Sequence, residues 1–346
     1  MQLGDQINII HCPISEVGTF LKSDRARQIF LVCDRNVRWV ADRIGAEAAA
    51  VFEIDATEGD KDISTVIRID RWLMEQGADR EALLLGIGGG ITTDMAGFAA
   101  SIYKRGIRFA FVPTTLLSQV DASIGGKNGV NLDSYKNMIG VIRQPEAVFI
   151  CPESLDTLPY TQIVSGASEL LKTFIIDNSG GDYEEAVSVL SGIRKAGGEM
   201  GDYSGKLGEL ISAAARIKAG IAGRDPFERG ERRLLNLGHT FAHAIEKESL
   251  ERVCHGNAVS MGTILAARLA ERLGVAENGF AERLKADFEA CGMPTACPFG
   301  IDSLTGAMRK DKKAEGDVVH FVIPRRVGNV ETMDLSPEYV TSLLRK

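Results

Sequence analysis

The chain has 346 residues, 45% hydrophobic and 25% charged, which is the balance of an ordinary folded protein and excludes a dominantly disordered or low-complexity chain. That length exceeds what one hydrophobic core normally serves, so two domains are expected. The net charge of -7 comes with no dense Lys/Arg tract, which excludes a nucleic-acid or anionic-membrane surface; an anionic ligand has to be met by local clusters of positive charge.

In the first part of the chain, QIFLVCD (28–34), AVFEID (50–55), ALLLGIGGG (82–90), FAFVPT (109–114) and AVFICP (147–152) have the length and composition of buried strands. Between them, STVIRIDRWLMEQG and DMAGFAASIYKRG repeat apolar residues at three and four, the helical period. Strand alternating with helix predicts an α/β domain over residues 1–155, built on a parallel sheet covered on both faces. From 156 to 346 helical periodicities dominate, at 161–177, 204–223, 234–249, 256–273 and 278–291, so the second domain is expected to be mainly α-helical. The glycine-rich SGGDYEE and RKAGGEMGDYSG read as surface connections, DVVHFVIP and GNVETMDL as a short strand pair, and SPEYVTSLLRK as a capped final helix.

Six scattered cysteines with no C-x-x-C pair suit a reducing cytoplasm. The first residues, MQLGDQINIIHCPIS, lack a secretion-signal pattern, and no window approaches the roughly 18 apolar residues of a membrane span.

The glycines of LLLGIGGGITTD stand between a buried strand and a helix-like segment. There a backbone can approach a pyrophosphate and a helix start can receive its charge, although the spacing is not G-x-G-x-x-G and a tight turn is the plain alternative. Asp34, at the end of an earlier strand, is placed either to accept hydrogen bonds from a ribose or to form a turn. In the segment 103–137, Lys127, Lys136 and Asn137 suit donors aimed at phosphate oxygens, or a solvated loop; Asp121 suits a buried carboxylate or a cap.

Three of the five histidines fall within seventeen residues. His239 and His243 share one helical face at a spacing of four, and a turn brings His255 back alongside. Upstream, Glu169 and Lys172 share a face in GASELLK, and Lys218, Glu228, Arg232 and Asn236 add charged and polar groups. A carboxylate with imidazoles is a ligand set for Zn²⁺ or a similar divalent ion, and three protein ligands leave one position open. Spacing does not decide which of His239 and His243 binds metal and which serves as an acid/base group.

Taken together, GGGITTDMAGFAASIYKRG, FVPTTLLSQVDASIGGKNGVN, YKNMIG, GASELLK, LNLGHTFAHAIE, HGNAVSMG and RKDKK, in this order over most of the chain, resemble the 3-dehydroquinate synthase family of sugar phosphate cyclases. The resemblance implies an N-terminal NAD-binding α/β domain, a mainly helical C-terminal metal domain and an active site in the cleft between them. It implies metal ligands Glu169, His239 and His255 for Zn²⁺ or Co²⁺, with His243 acting on the substrate and Glu228 as a proton acceptor; Lys172 and Asp121 complete the catalytic set. NAD would be met by Asp34, Glu58, Lys61, Gly89, Gly90, Ile91, Asp94, Thr114, Thr115, Lys136 and Thr157. Substrate would be held by Arg105, Lys127, Asn137, Lys218, Arg232, Asn236 and Lys312.

The implied reaction is the second step of the shikimate pathway, toward chorismate and the aromatic amino acids. It converts 3-deoxy-D-arabino-heptulosonate 7-phosphate to 3-dehydroquinate and phosphate, by transient oxidation with NAD, phosphate elimination, re-reduction, ring opening and an intramolecular aldol closure. The family's residue at the position of Arg105 reaches the adjacent subunit's site, implying a homodimer. Thr57, Thr93, and Thr161 with Gln162 depart from the family pattern near the NAD contacts and the domain junction.

A metal-dependent polyol dehydrogenase would share the glycine turn and helical metal domain but leave the basic residues unexplained. A cyclase acting on sedoheptulose 7-phosphate or glucose 6-phosphate would meet no carboxylate with Arg232 and Lys218.

Overall fold

The computed structural model describes residues 7–23, 28–44, 47–133, 135–309 and 318–345. The chain groups into two units: residues through Pro159 with Ile211–Phe227, and Tyr160–Leu210 with Glu228 onward. A sequence division at 155/156 assigns 211–227 to the second unit, whereas the structure groups that segment with the first.

In chain order the first unit contains β1 (Ile9–His11), α1 (Ile14–Ser23), β2 (Ile29–Asp34), α2 (Arg38–Arg43), β3 (Ala50–Ile54), α3 (Ile63–Glu75), β4 (Leu83–Gly88), α4 (Gly90–Ile102) and β5 (Arg108–Pro113). A two-stranded hairpin, β6 (Lys127–Leu132) and β7 (Tyr135–Ile142), precedes β8 (Val148–Ile150). All six strands outside the hairpin form one parallel sheet in the order β1-β8-β5-β4-β2-β3. The central β4 is buried along its whole length, as a parallel strand covered on both faces must be.

The chain leaves β2 for β3 on one side and then crosses to β4 on the other. The carboxyl ends of β2 and β4 therefore flank a topological switch point, where open α/β sheets leave a crevice for ligand. Asp34 ends β2, and the glycine turn Gly88–Gly90 ends β4 and opens α4.

Helix α3 starts where the Asp62 side chain accepts a hydrogen bond from the Thr65 amide at 2.8 Å, and it buries Val66, Ile69 and Leu73 at helical spacing. Each such burial is worth roughly 1.5–3 kcal/mol. Asp70 lies in the same helix with one carboxylate oxygen buried and without a hydrogen bond, and burial pushes its carboxyl up to about 7. Between the unfolded value of roughly 4 and that raised value the folded state holds a proton the unfolded state has released, so stability falls as pH rises across this window. Asp70→Asn should remove this loss and stabilise the protein at pH 8 by roughly 1–3 kcal/mol. Urea unfolding at pH 5 and pH 8 checks it; a variant no more stable than wild type at pH 8 refutes it.

The second unit contains α5 (Tyr160–Ile176), α6 (Tyr183–Lys195), the start of α7 (Ser204–Arg224), α8 (His239–Glu248), α9 (His255–Arg272), α10 (Phe280–Ala290), α11 (Ile301–Arg309), the antiparallel pair β9 (Val319–Arg326) and β10 (Asn329–Leu335), and α12 (Pro337–Leu344). Every residue of α5 from Ile163 to Ile176 is buried, so this helix is the unit's axis and not an amphipathic surface helix. Ser336 caps α12, its hydroxyl accepting from the Tyr339 amide at 3.2 Å. The periodic stretch 234–249 is not one helix: residues Glu231–Asn236 form a 3-10 turn, and Gly238, at φ 78°, resets the backbone before α8 begins. Among the described residues no helix is long and apolar enough to cross a membrane.

Candidate functional site

In the second unit, Glu169 lies on the buried axis α5, while His239 and His255 are the first residues of α8 and α9. Two glycines make this convergence possible. A Cβ on Gly256 would lie 2.0 Å from the Ser165 carbonyl oxygen of α5, and one on Gly262 would lie 2.2 Å from the Gly238 carbonyl oxygen at the start of α8. Only side chains reduced to hydrogen let α9 approach α5 and α8 this closely.

The Nε2 atoms of His239 and His255 stand 3.7 and 3.5 Å from the same oxygen of Glu169. Potential ligand atoms of the three residues all lie within 4.8 Å of one another. His243 follows one turn later on α8, its ring centroid 5.6 Å from that of His239, and is not part of this cluster.

Glu169 is fully buried, and neither of its carboxylate oxygens makes a hydrogen bond, so its compensation is ionic. Lys172, equally buried one turn along α5, pairs with it directly. Burial would raise the Glu169 carboxyl, but Lys172 and His255 outweigh that and hold it at about 2. Burial, reinforced by Lys172, drives the His239 imidazole well below its ordinary value and keeps it neutral. The His255 imidazole would also be lowered by burial, but the Glu169 and Glu246 carboxylates bring it up to about 10. Glu246 lies on α8, 5% exposed, its Oε1 3.5 Å from His255 Nδ1.

The donor chemistry fits a divalent ion: an anionic carboxylate without hydrogen bonds and two imidazoles turned to one of its oxygens. Close in sequence, Asn236 Nδ2 donates to the Glu228 carboxylate, with Glu228 held at φ 58°, and Arg232 is buried at 3% exposure.

The first unit gathers a second set. At the switch point, Gly89 caps the thirteen-residue α4, whose first turn includes Gly90 and Ile91. Lys61, nearly buried, donates at 2.6 Å both to Asp94 on α4 and to Asn137 Oδ1 on β7. Burial raises the Asp94 carboxyl to about 6 against the opposing pull of Lys61. Glu58 accepts from Asn131 at 2.8 Å. Thr114 is buried, and the Thr115 hydroxyl accepts from the Ser118 amide.

Asp34 accepts from the amide and the side-chain nitrogen of Asn36, both at 3.0 Å, so it also forms the strand-end turn. Lys218, on the part of α7 that belongs to this unit, donates to the Asp121 carbonyl at 2.7 Å and to its carboxylate. Arg105, Lys127, Lys136 and Thr157 are exposed, and Lys312 lies outside the described residues. Sequence reasoning assigned Glu246 no role, although it stands seven residues after His239 and shares its helical face.

Two family models cover the chain in succession, the N-terminal 3-dehydroquinate synthase model over residues 51–165 and the C-terminal one over residues 166–314. A curated 3-dehydroquinate synthase of Pyrococcus abyssi is 37% identical over 97% of this chain and 98% of its own length. The chain belongs to the 3-dehydroquinate synthase family. A second member, from Thermococcus kodakarensis, is 41% identical over 83% of this chain and 78% of its own length. The 2-epi-5-epi-valiolone synthase of Streptomyces hygroscopicus, solved with NAD⁺ and Zn²⁺ bound, shares the fold at a TM-score of 0.85 and 24% identity, covering 100% of this chain and 97% of its own. The 3-dehydroquinate synthase models meet between Ser165 and Gly166, inside α5, so the family boundary falls six residues after the structural unit boundary at Pro159.

Proposed function

We propose that this chain forms 3-dehydroquinate and phosphate from 3-deoxy-D-arabino-heptulosonate 7-phosphate, with NAD⁺ and a divalent metal, Zn²⁺ or Co²⁺, as cofactors. The observation that carries this reading is the convergence of Glu169, His239 and His255 on one spot, in a chain whose two halves match the two models of that family.

Glu169, His239 and His255 would hold the metal, which when bound supplies Lewis acidity at a substrate hydroxyl. The switch-point residues Asp34, Gly89, Gly90, Ile91 and Asp94, with Glu58, Lys61, Thr114, Thr115, Lys136 and Thr157, would hold NAD⁺, which accepts and returns reducing equivalents so that none is consumed.

The chain's own groups do the rest. His243 is placed on the face of α8 that carries His239, suited to moving a proton to and from a substrate oxygen. Glu228, restrained by Asn236, serves as a proton acceptor, and Lys172 and Asp121 complete the catalytic set. Lys218, Lys127, Arg232, Asn137, Asn236 and Lys312 would bind the phosphate and carboxylate by charge-assisted hydrogen bonds. Apart from Thr157, the nucleotide contacts would come from the 1–155 portion and the metal ligands from the 156–346 portion.

The reading extends to a cytoplasmic homodimer in which Arg105 reaches the partner subunit's site. Six free cysteines suit that compartment, and consecutive left-handed residues at Lys104 and Arg105 hold the exposed arginine in a strained turn, as functional positions often are.

The test is phosphate release from the heptulosonate phosphate. Turnover should need only catalytic NAD⁺, leave no net NADH, and stop when a chelator removes the metal. Net NADH accumulation from a polyol, with no phosphate released from the sugar phosphate, would replace this reading with a dehydrogenase.

A further inference from the structure

We infer that Glu246 is a positioning residue for the metal: it fixes the ring and tautomer of His255 by accepting the Nδ1 proton. This rests on the metal-site reading above. The two ligand histidines are arranged alike although they sit on different helices. His239 turns Nδ1 toward the Leu237 carbonyl oxygen at 3.2 Å and Nε2 toward Glu169. His255 turns Nδ1 toward the Glu246 carboxylate at 3.5 Å and Nε2 toward the same Glu169 oxygen.

In a neutral imidazole one nitrogen carries the proton and the other a lone pair, and the acceptor facing one of them decides which. When an ion takes the place of the proton on Nε2, both acceptors keep the remaining proton on Nδ1 and leave the Nε2 lone pair for that ion on the Glu169 side. A carbonyl does this for His239 with a dipole. Glu246 does it for His255 with a full negative charge, which also makes Nε2 a better donor.

The helical register explains how one helix serves both ligands. His239, His243 and Glu246 stand at i, i+4 and i+7 on α8, one face, so α8 contributes a ligand, the proposed acid/base histidine and the carboxylate behind the other ligand. Glu246 is 5% exposed, and a carboxylate is rarely buried that far without a cationic or donor partner. His255, opening α9, is such a partner.

The experiment titrates Zn²⁺ alone into chelator-stripped protein against a chromophoric chelator, in wild type, Glu246→Gln and Glu246→Ala, with no substrate present. Apo-protein circular dichroism and melting are recorded for each variant. The isosteric Gln keeps the shape and loses the charge, so it should weaken Zn²⁺ binding roughly tenfold, and Ala should weaken it by up to about a hundredfold. The visible spectrum of the Co²⁺-loaded Gln variant should shift from that of wild type. A packing role alone leaves Gln at wild-type affinity with an unchanged Co²⁺ spectrum, and that result overturns the proposal even where Ala fails to fold. A wild-type protein that binds neither Zn²⁺ nor Co²⁺ overturns the metal reading itself, a separate and recognisable outcome.

Discussion

His255→Ala should abolish tight binding of a divalent ion and lower phosphate release roughly a thousandfold. A bound ion contributes several kcal/mol of transition-state charge stabilisation, and each ~1.4 kcal/mol is a factor of ten. The contrast with His243→Ala gives the prediction its edge. His243 lies outside the Glu169–His239–His255 cluster, so its removal should leave metal content intact while turnover falls by roughly 10²–10⁴, the usual worth of a positioned acid/base group. Metal content by elemental analysis, set beside phosphate release for both variants, separates the two roles. Loss of metal in His243→Ala with retention in His255→Ala would exchange them.

The sequence made the parallel sheet visible because buried strands carry their signal in continuous apolar runs: β2 and β4 lie within one residue of the stretches QIFLVCD and ALLLG at their starts. The hairpin β6–β7 was invisible for the opposite reason. Tyr135, Lys136, Asn137 and Met138 open β7 all exposed, so no alternation of apolar and polar residues marks a strand, and the segment reads as a polar loop. Three-residue β1 is held by its parallel register with β8, a pairing of residues far apart in the chain that no local pattern announces. Helix α6 begins inside the stretch read as the loop SGGDYEE, because tertiary packing of Tyr183, Ala186 and Leu190 overrides the glycines before it.

The candidate site was legible by residue type and spacing, which pick out Glu169, His239, His243 and His255. What spacing lacked was distance: whether His239 or His243 joins the cluster depends on the start of α8 at Gly238 and on its close approach to α9. Glu246 escaped for a related reason, since a lone glutamate on a helix reads as a solvated charge until burial shows otherwise.

Lys172→Met should destabilise the metal-free protein by about 3–5 kcal/mol near neutral pH, because it strands the Glu169 carboxylate in a fully buried position. The sign of the pH dependence makes the cause testable. In wild type the Glu169 carboxyl is held at about 2, below the unfolded value of roughly 4, so it contributes stability above pH ~4 that fades as pH falls toward 2. Without the ammonium, burial dominates and raises that carboxyl, so the variant instead loses stability as pH rises through the acid range. The deficit should therefore be smallest near pH 2, where the carboxyl is protonated in both proteins, and full at pH 7, and a deficit independent of pH would point to lost packing. Zn²⁺ then reads the same electrostatics from the other side. An ammonium beside the ligand carboxylate repels a divalent cation, so removing it should make Zn²⁺ stabilise the variant more than wild type, by RT ln(1 + [Zn²⁺]/Kd) with a smaller Kd. Urea unfolding with chelator and with Zn²⁺ measures both quantities. An equal deficit in the two conditions would mean that Lys172 and the ion do not share Glu169 as a common partner.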